Sequence, residues 1–166
     1  MATSQHQKAL QFRALHDAPG VFLIPNPWDA GSARILSALG FQALATSSYA
    51  SAGVHGHLDG ELTREDALID ISSIVQATHL PVSADLGRGF GDEPPSVAKT
   101  IRLAADVGVV GASVEDATGD ARAGARSSKR FSRWTGIHRG WNDGVRIVIT
   151  ATAEVPTSEG DGGWLP

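Results

Sequence analysis

Apolar positions in this chain come in short unbroken runs separated by stretches of helical spacing. Val21-Phe22-Leu23-Ile24, Ala43-Leu44-Ala45, Leu80-Pro81-Val82 and Val109 to Val114 are the runs. Such blocks are typical of strands in a parallel sheet, where both faces are covered. They predict strands over 21–24, 43–46, 81–85 and 109–115. Between them, apolar residues recur every three or four positions. Ala9, Phe12 and Leu15 mark a helix over Ser4 to His16, and Ser32 to Leu39 reads as a second, closed by Gly40. Thr63 caps a third, with an acid three residues on and a stripe of Ala67, Leu68, Ile71, Ile74 and Val75. Pro94-Pro95-Ser96 opens a fourth, with Val97, Ile101, Ala104 and Ala105 on one face and Gly108 at its end. Ser47 to Leu62 reads as a long loop. The order is βαβαβαβ to about residue 116, with intervals long enough for helical crossovers, so the strands are expected to be parallel.

The chemistry lies where these runs stop. Asp85 ends one and is followed by Gly87-Arg88-Gly89-Phe90-Gly91-Asp92, whose glycines allow a ligand close to the backbone. The next run ends in Glu115-Asp116. Acids at the tips of neighbouring strands point to a hard-cation site at the mouth of a parallel sheet. Asp116 faces away from Glu115 in an extended strand and is at most a support. His55 and His57 have the look of solvated loop residues rather than ligands. Gly89-Phe90-Gly91 lacks the GxxxxGK[ST] pattern of a nucleotide loop.

Composition narrows the field. With 166 residues, 42% hydrophobic and 19% charged, the chain is sized for a soluble domain with its own core. No apolar run suits a membrane span and no secretory leader is evident, so neither membrane nor export is expected. There is no cysteine, which excludes disulfides and thiolate chemistry and fits a cytoplasmic setting. Seven basic against fourteen acidic residues give positions 1–120 a net charge of −7, which argues against nucleic acid as a partner. The texture then changes. Residues 121–166 carry a net +3, three of the four tryptophans and seven of the 19 glycines. Val145 to Val155 alternates weakly and predicts a strand, and Ser158 to Pro166 reads as disordered.

Several segments together resemble the isocitrate lyase/phosphoenolpyruvate mutase superfamily. They are Pro25-Asn26-Pro27-Trp28-Asp29-Ala30-Gly31-Ser32-Ala33-Arg34, Thr46-Ser47-Ser48, Gly56-His57-Leu58-Asp59-Gly60, Asp85 to Asp92, and Val114-Glu115-Asp116. The resemblance covers residues 21–120. It implies an α/β fold of the (β/α)8 barrel type, of which about four parallel strands are present, with the active site at the strand C-termini. It also implies Mg²⁺, and cleavage or formation of a C–C or P–C bond beside a carboxylate in small keto or hydroxy acids.

Carried onto this chain, the resemblance makes Asp85 and Glu115 the metal ligands, directly or through water, and Asp59 a further catalytic acid. Ser47, Ser48 and Tyr49 would hold the substrate carboxylate, and Trp28, with Asp29, would line the site. Each also has a plain structural reading: a loop cap for Asp85, an exposed strand end for Glu115, a turn residue for Asp59, polar loop residues for the serines, packing for Trp28. The chain departs from the family at Gly87, where an acid is usual, and Arg88 follows it. Metal affinity should drop accordingly. The lyases' Lys-Lys-Cys-Gly-His loop is absent, and Ala117-Thr118-Gly119 stands where the mutase carries a lysine.

A barrel takes about 250 residues. Residues 1–120 therefore read as its N-terminal half, and 121–166 as an irregular basic tail, out of frame or disordered. One account is a truncated, weakly active or inactive enzyme. The other is a non-catalytic half-barrel that forms a homo-oligomer or pairs with a full-length relative through its open sheet edge.

Overall fold

The computed structural model describes residues 3–115 and 148–152. Ser4 and Gln7 form a reciprocal capping box that starts α1, Gln5–Asp17. Asp29 and Ser32 do the same for α2, Ala30–Ala38, which ends at Gly40 in the left-handed region (φ +87°). Then follow β1 (Leu44–Ala45), α3 (Ser48–Val54), α4 (Arg64–Ala77, capped by Thr63), β2 (Val82–Asp85), α5 (Pro94–Asp106), β3 (Gly111–Glu115) and β4 (Val148–Thr152). The four strands form one sheet in the order β1-β2-β3-β4, every pair parallel. The molecule is thus α/β with a parallel sheet, as expected from the sequence.

Among the described residues, β2 and β3 alternate buried and half-buried positions rather than being covered on both faces. Ala84, Ala112 and Val114 pack beneath α4 and α5 with Ile71, Val97, Ile101 and Ala104. Leu44 and Val82 pack with Ala33 of α2 and Ile74 of α4. Ser83, Asp85, Ser113 and Glu115 lie on the other face and are only half-buried. Helix α1 seals the end of the sheet where the strands begin. Its Phe12 and Ala9 pack against Ala43 and Val110, the residues just before β1 and β3. Gly111 is required there, because a Cβ would stand 2.6 Å from the Phe12 ring. Gln5 Nε2 ties the same helix to the carbonyls of Ala105 and Val109 at 2.7 and 3.0 Å. With one end plugged, the C-terminal end of the sheet is left for a ligand.

Two elements differ from the sequence reading. Residues 21–24 do not form a strand: Val21 is 98% and Leu23 74% exposed. Pro25 and Pro27 have no N–H to give a ladder; Pro25 O accepts from Ala45 N at 3.1 Å, and the Asn26 side-chain amide donates to Ala45 O at 2.9 Å. Phe22 is held instead by the His16 ring, which also packs edge-on against Phe12. Within the expected loop 47–62 lies α3, seven residues started by the Ser47 hydroxyl, which accepts from Ala50 N. The strand expected in 145–155 is β4; the rest of the tail expected at 121–166, and Asp116, lie outside the described residues. No described helix is long and apolar enough to cross a membrane.

Candidate functional site

A cavity of about 430 Å³ opens at the C-terminal ends of the strands. That is within the range that takes a small molecule. Trp28, Ser47, Ser48, Asp59, Asp85 and Glu115 all line it. Tyr49, one residue into α3, is not among the lining residues and is 73% exposed. Asp29 does not line it either: its carboxylate accepts from Ser32 N at 2.7 Å as the cap of α2.

Asp85 is anchored through both carboxylate oxygens. Its Oδ2 accepts from Ser48 N at 2.8 Å, and its Oδ1 accepts from Gly87 N at 3.0 Å. Its own N–H donates to the hydroxyl of buried Thr46 at 2.9 Å. One carboxylate therefore joins the start of α3, the tip of β2 and the glycine loop. Glu115 N donates to Gly87 O at 2.8 Å, which holds the end of β3 against the same loop. Asp85 pairs in register with Ser113, so Asp85 and Glu115 face the same side of the sheet.

The loop beyond Asp85 is tightly braced. Gly89 sits at φ +77°, and a Cβ there would lie 3.0 Å from Val97. Phe90 is left-handed at φ +56°. Thr100 Oγ1 donates to Gly89 O at 2.8 Å, and Arg64 Nη2 donates to Phe90 O at 2.8 Å and to Ser96 Oγ at 2.7 Å. These tertiary bonds hold a conformation that a non-glycine residue resists alone.

Asp70 also lines the cavity, and nothing in the sequence pattern marks it. It accepts from the Ser51 hydroxyl, and its two oxygens each stand 3.0 Å from His55 Nε2. His57 Nδ1 lies 3.6 Å from Glu61 Oε2. Both histidines thus have carboxylate neighbours within the protein. Ser51, Thr46, Asp92 and Arg88 add to the polar lining. Thr46 could not be found from spacing, because its role depends on the neighbouring strand.

Among the described residues no three His, Cys, Asp or Glu side chains converge closely enough to form a direct metal cage. Asp85 accepts one backbone N–H on each oxygen, which leaves lone pairs on both. Mg²⁺ keeps several waters and takes one or two carboxylates. The donors present suit a hydrated ion gripped through its waters by Asp85 and Glu115.

The family model described as phosphoenolpyruvate phosphomutase matches residues 12–163. The chain belongs to this family. The phosphoenolpyruvate phosphomutase match runs well past residue 120, and the relatives agree with it. The 2-methylisocitrate lyase of Escherichia coli (strain K12) is 32% identical over 128 residues, which is 76% of this chain and 43% of the relative. A candidate lyase/mutase of Burkholderia cenocepacia J2315 has a solved structure that is 46% identical, with a TM-score of 0.84, covering 90% of this chain and 54% of that one. Phosphonopyruvate hydrolase, solved with oxalate and Mg²⁺, shares the fold at 19% identity and a TM-score of 0.80, over 92% of this chain and 53% of that one. The chain therefore spans about half the length, or less, of these relatives.

Proposed function

We propose that this chain is part of a (β/α)8 barrel enzyme, a Mg²⁺-dependent lyase or mutase. It would act on the C–C or P–C bond beside the carboxylate of a small keto or hydroxy acid. One observation carries the reading: Asp59, Asp85, Glu115, Ser47 and Ser48 line a single cavity at the strand C-termini. Asp85 and Glu115 sit on adjacent strands, two residues apart in register, which separates their Cα atoms by roughly 8 Å. That distance suits a hydrated ion between them. When bound, the ion would offset negative charge building on the substrate's keto oxygen.

The chain's own residues do the rest. Ser47 accepts a helix N–H on its oxygen and keeps its hydroxyl proton to give to a substrate carboxylate. Ser48 stands beside it, its N–H already committed to Asp85. Asp59, on the exposed loop between α3 and α4, is placed to take or return a proton at the cavity rim. Trp28 and Leu62 supply apolar wall. Tyr49 joins the carboxylate site only if its ring swings inward from its exposed position. With Gly87 where the family usually carries an acid, Mg²⁺ binding and turnover are expected to be weak. The absence of cysteine supports placing it in the cytoplasm.

Binding is therefore the test. Calorimetric titration of the full chain with oxalate should give heat only when Mg²⁺ is present. Asp85→Asn should abolish that dependence while the circular dichroism spectrum stays that of a folded α/β protein. Oxalate binding of equal strength with Mg²⁺ and with EDTA would overturn the proposal.

A further inference from the structure

Helix α3 and its cap supply three serines to the cavity wall, Ser47, Ser48 and Ser51, yet the helix has little of its own to hold it in place. It is seven residues long, and of these Ala52 alone is buried. A helix this short does not persist in water by itself, so tertiary contacts must place it. At its first residue, Ser48 N donates to Asp85 Oδ2 at 2.8 Å. Further along, Ser51 and His55 stand four residues apart and so share one face. Both meet Asp70 of α4. The Ser51 hydroxyl donates to Asp70 Oδ2, and His55 Nε2 lies 3.0 Å from each Asp70 oxygen. We infer that Asp70 is a positioning residue: it clamps α3 onto α4 through Ser51 and His55, and thereby sets where Ser47 meets a ligand. This rests on the reading of the cavity as a site for small carboxylic acids. Asp70 itself takes no part in bond breaking.

The setting of Asp70 supports the assignment. On α4 it falls on the stripe that carries Ala67, Ile71 and Ile74, all buried, and its side chain is 19% exposed. A carboxylate in such a place needs hydrogen-bond donors, and α3 supplies them. A carboxylate only accepts, so His55 turns a protonated Nε2 toward it, and the Ser51 proton is committed to it as well. Asp85 and Glu115 are held differently. They end β2 and β3, and Gly87 N keeps one Asp85 oxygen whatever α3 does. Loosening α3 at the Asp70 end should therefore displace Ser47 more than the two acids that would grip the ion. A general loss of fold would not separate the two effects.

The experiment titrates the full chain calorimetrically with Mg²⁺ alone, then with oxalate in saturating Mg²⁺, and follows amide exchange in α3. Asp70→Ala should weaken oxalate by about tenfold or more, the usual effect of losing hydrogen bonds to a charged group. Mg²⁺ affinity should stay close to wild type. Exchange should quicken at Ser51 N and His55 N, which bond to Ser47 O at 3.0 Å and Ala52 O at 3.1 Å. Asp70→Asn keeps an acceptor for Ser51 and offers an N–H to a His55 unprotonated at Nε2, so it should restore most of the oxalate affinity. Ser51→Ala with His55→Ala, made from the other helix, should weaken oxalate to a similar extent, and adding Asp70→Ala should cost little more, because the three side chains act together. That pair carries the test if Asp70→Ala fails to fold. Asp70→Ala that binds oxalate as wild type does, or that loses Mg²⁺ and oxalate in equal measure, would overturn the inference. A wild-type chain without Mg²⁺-dependent oxalate binding would overturn the proposed function, whereas unchanged α3 exchange in Asp70→Ala would overturn the clamp alone.

Discussion

Thr100 lies in the middle of α5, fully buried, yet its hydroxyl serves a loop eleven residues away. It donates to Gly89 O at 2.8 Å and lies 3.1 Å from Ser96 O, one helical turn back. Valine has nearly the same shape and no donor. Thr100→Val therefore keeps the packing and removes the bond that pins the left-handed Gly89 beneath the cavity wall. Leaving a buried carbonyl short of its partner costs about 1–3 kcal/mol. For a chain of this size each kcal/mol moves the melting temperature by about 2–4 °C, so a fall of about 2–12 °C is expected. The loss should also be local. Gly89 N donates to Leu86 O at 2.9 Å, and its amide should exchange faster in the variant. Thr100→Ser is the control: it retains the hydroxyl, gives up a methyl group, and should preserve Gly89 protection. Thermal melts paired with amide exchange decide the matter. A Thr100→Val protein that melts at or above the wild-type temperature with Gly89 still protected would refute the argument.

Phe12 is 2% exposed and plugs the base of the sheet against Ala43 and Val110; Phe12→Ala should cost about 3–5 kcal/mol in urea denaturation and make Mg²⁺ and oxalate binding fall only with the folded fraction. A loss near zero would show that α1 is dispensable packing. Asp29 is held below its ordinary pKa, first by the Ser32 backbone N–H and then by the Ser32 hydroxyl. A depressed folded-state pKa stabilises above the unfolded value, and that contribution is lost as pH falls through the lower, folded one. The melting-temperature advantage of wild type over Asp29→Asn should therefore hold at pH 7 and shrink below about pH 4, where carboxylates titrate. An advantage that stays constant to pH 3 would contradict this origin.

Local signals were the ones that could be read in advance. Gly40, Thr63 and Pro94 mark helix ends by backbone chemistry that needs no neighbour, and each stands where an element begins or ends. The acid-tipped runs ending at Asp85 and Glu115 were legible because a short apolar block followed by a carboxylate is a complete local statement. Helix α3 was not, since Ser48 to Val54 carries no apolar period and only the Ser47 cap announces it. The 21–24 segment misled because its composition says strand while the prolines beside it deny the ladder. Thr46, Asp70 and the brace from Arg64 were out of reach for another reason. Each acts across a gap of 15 to 39 residues, on a partner that only the folded chain brings near.

The two oxygens of Asp85 hold α3 and the glycine loop in place while also facing the cavity. Under the proposed function, architecture and chemistry would depend on the same pair of atoms. A lineage that abandons the reaction is thus not free to discard this side chain, because its loss would slacken the walls on both sides. Persistence of an aspartate at position 85 is accordingly no proof of turnover, since its bonds to Ser48 N and Gly87 N would preserve it on structural grounds alone.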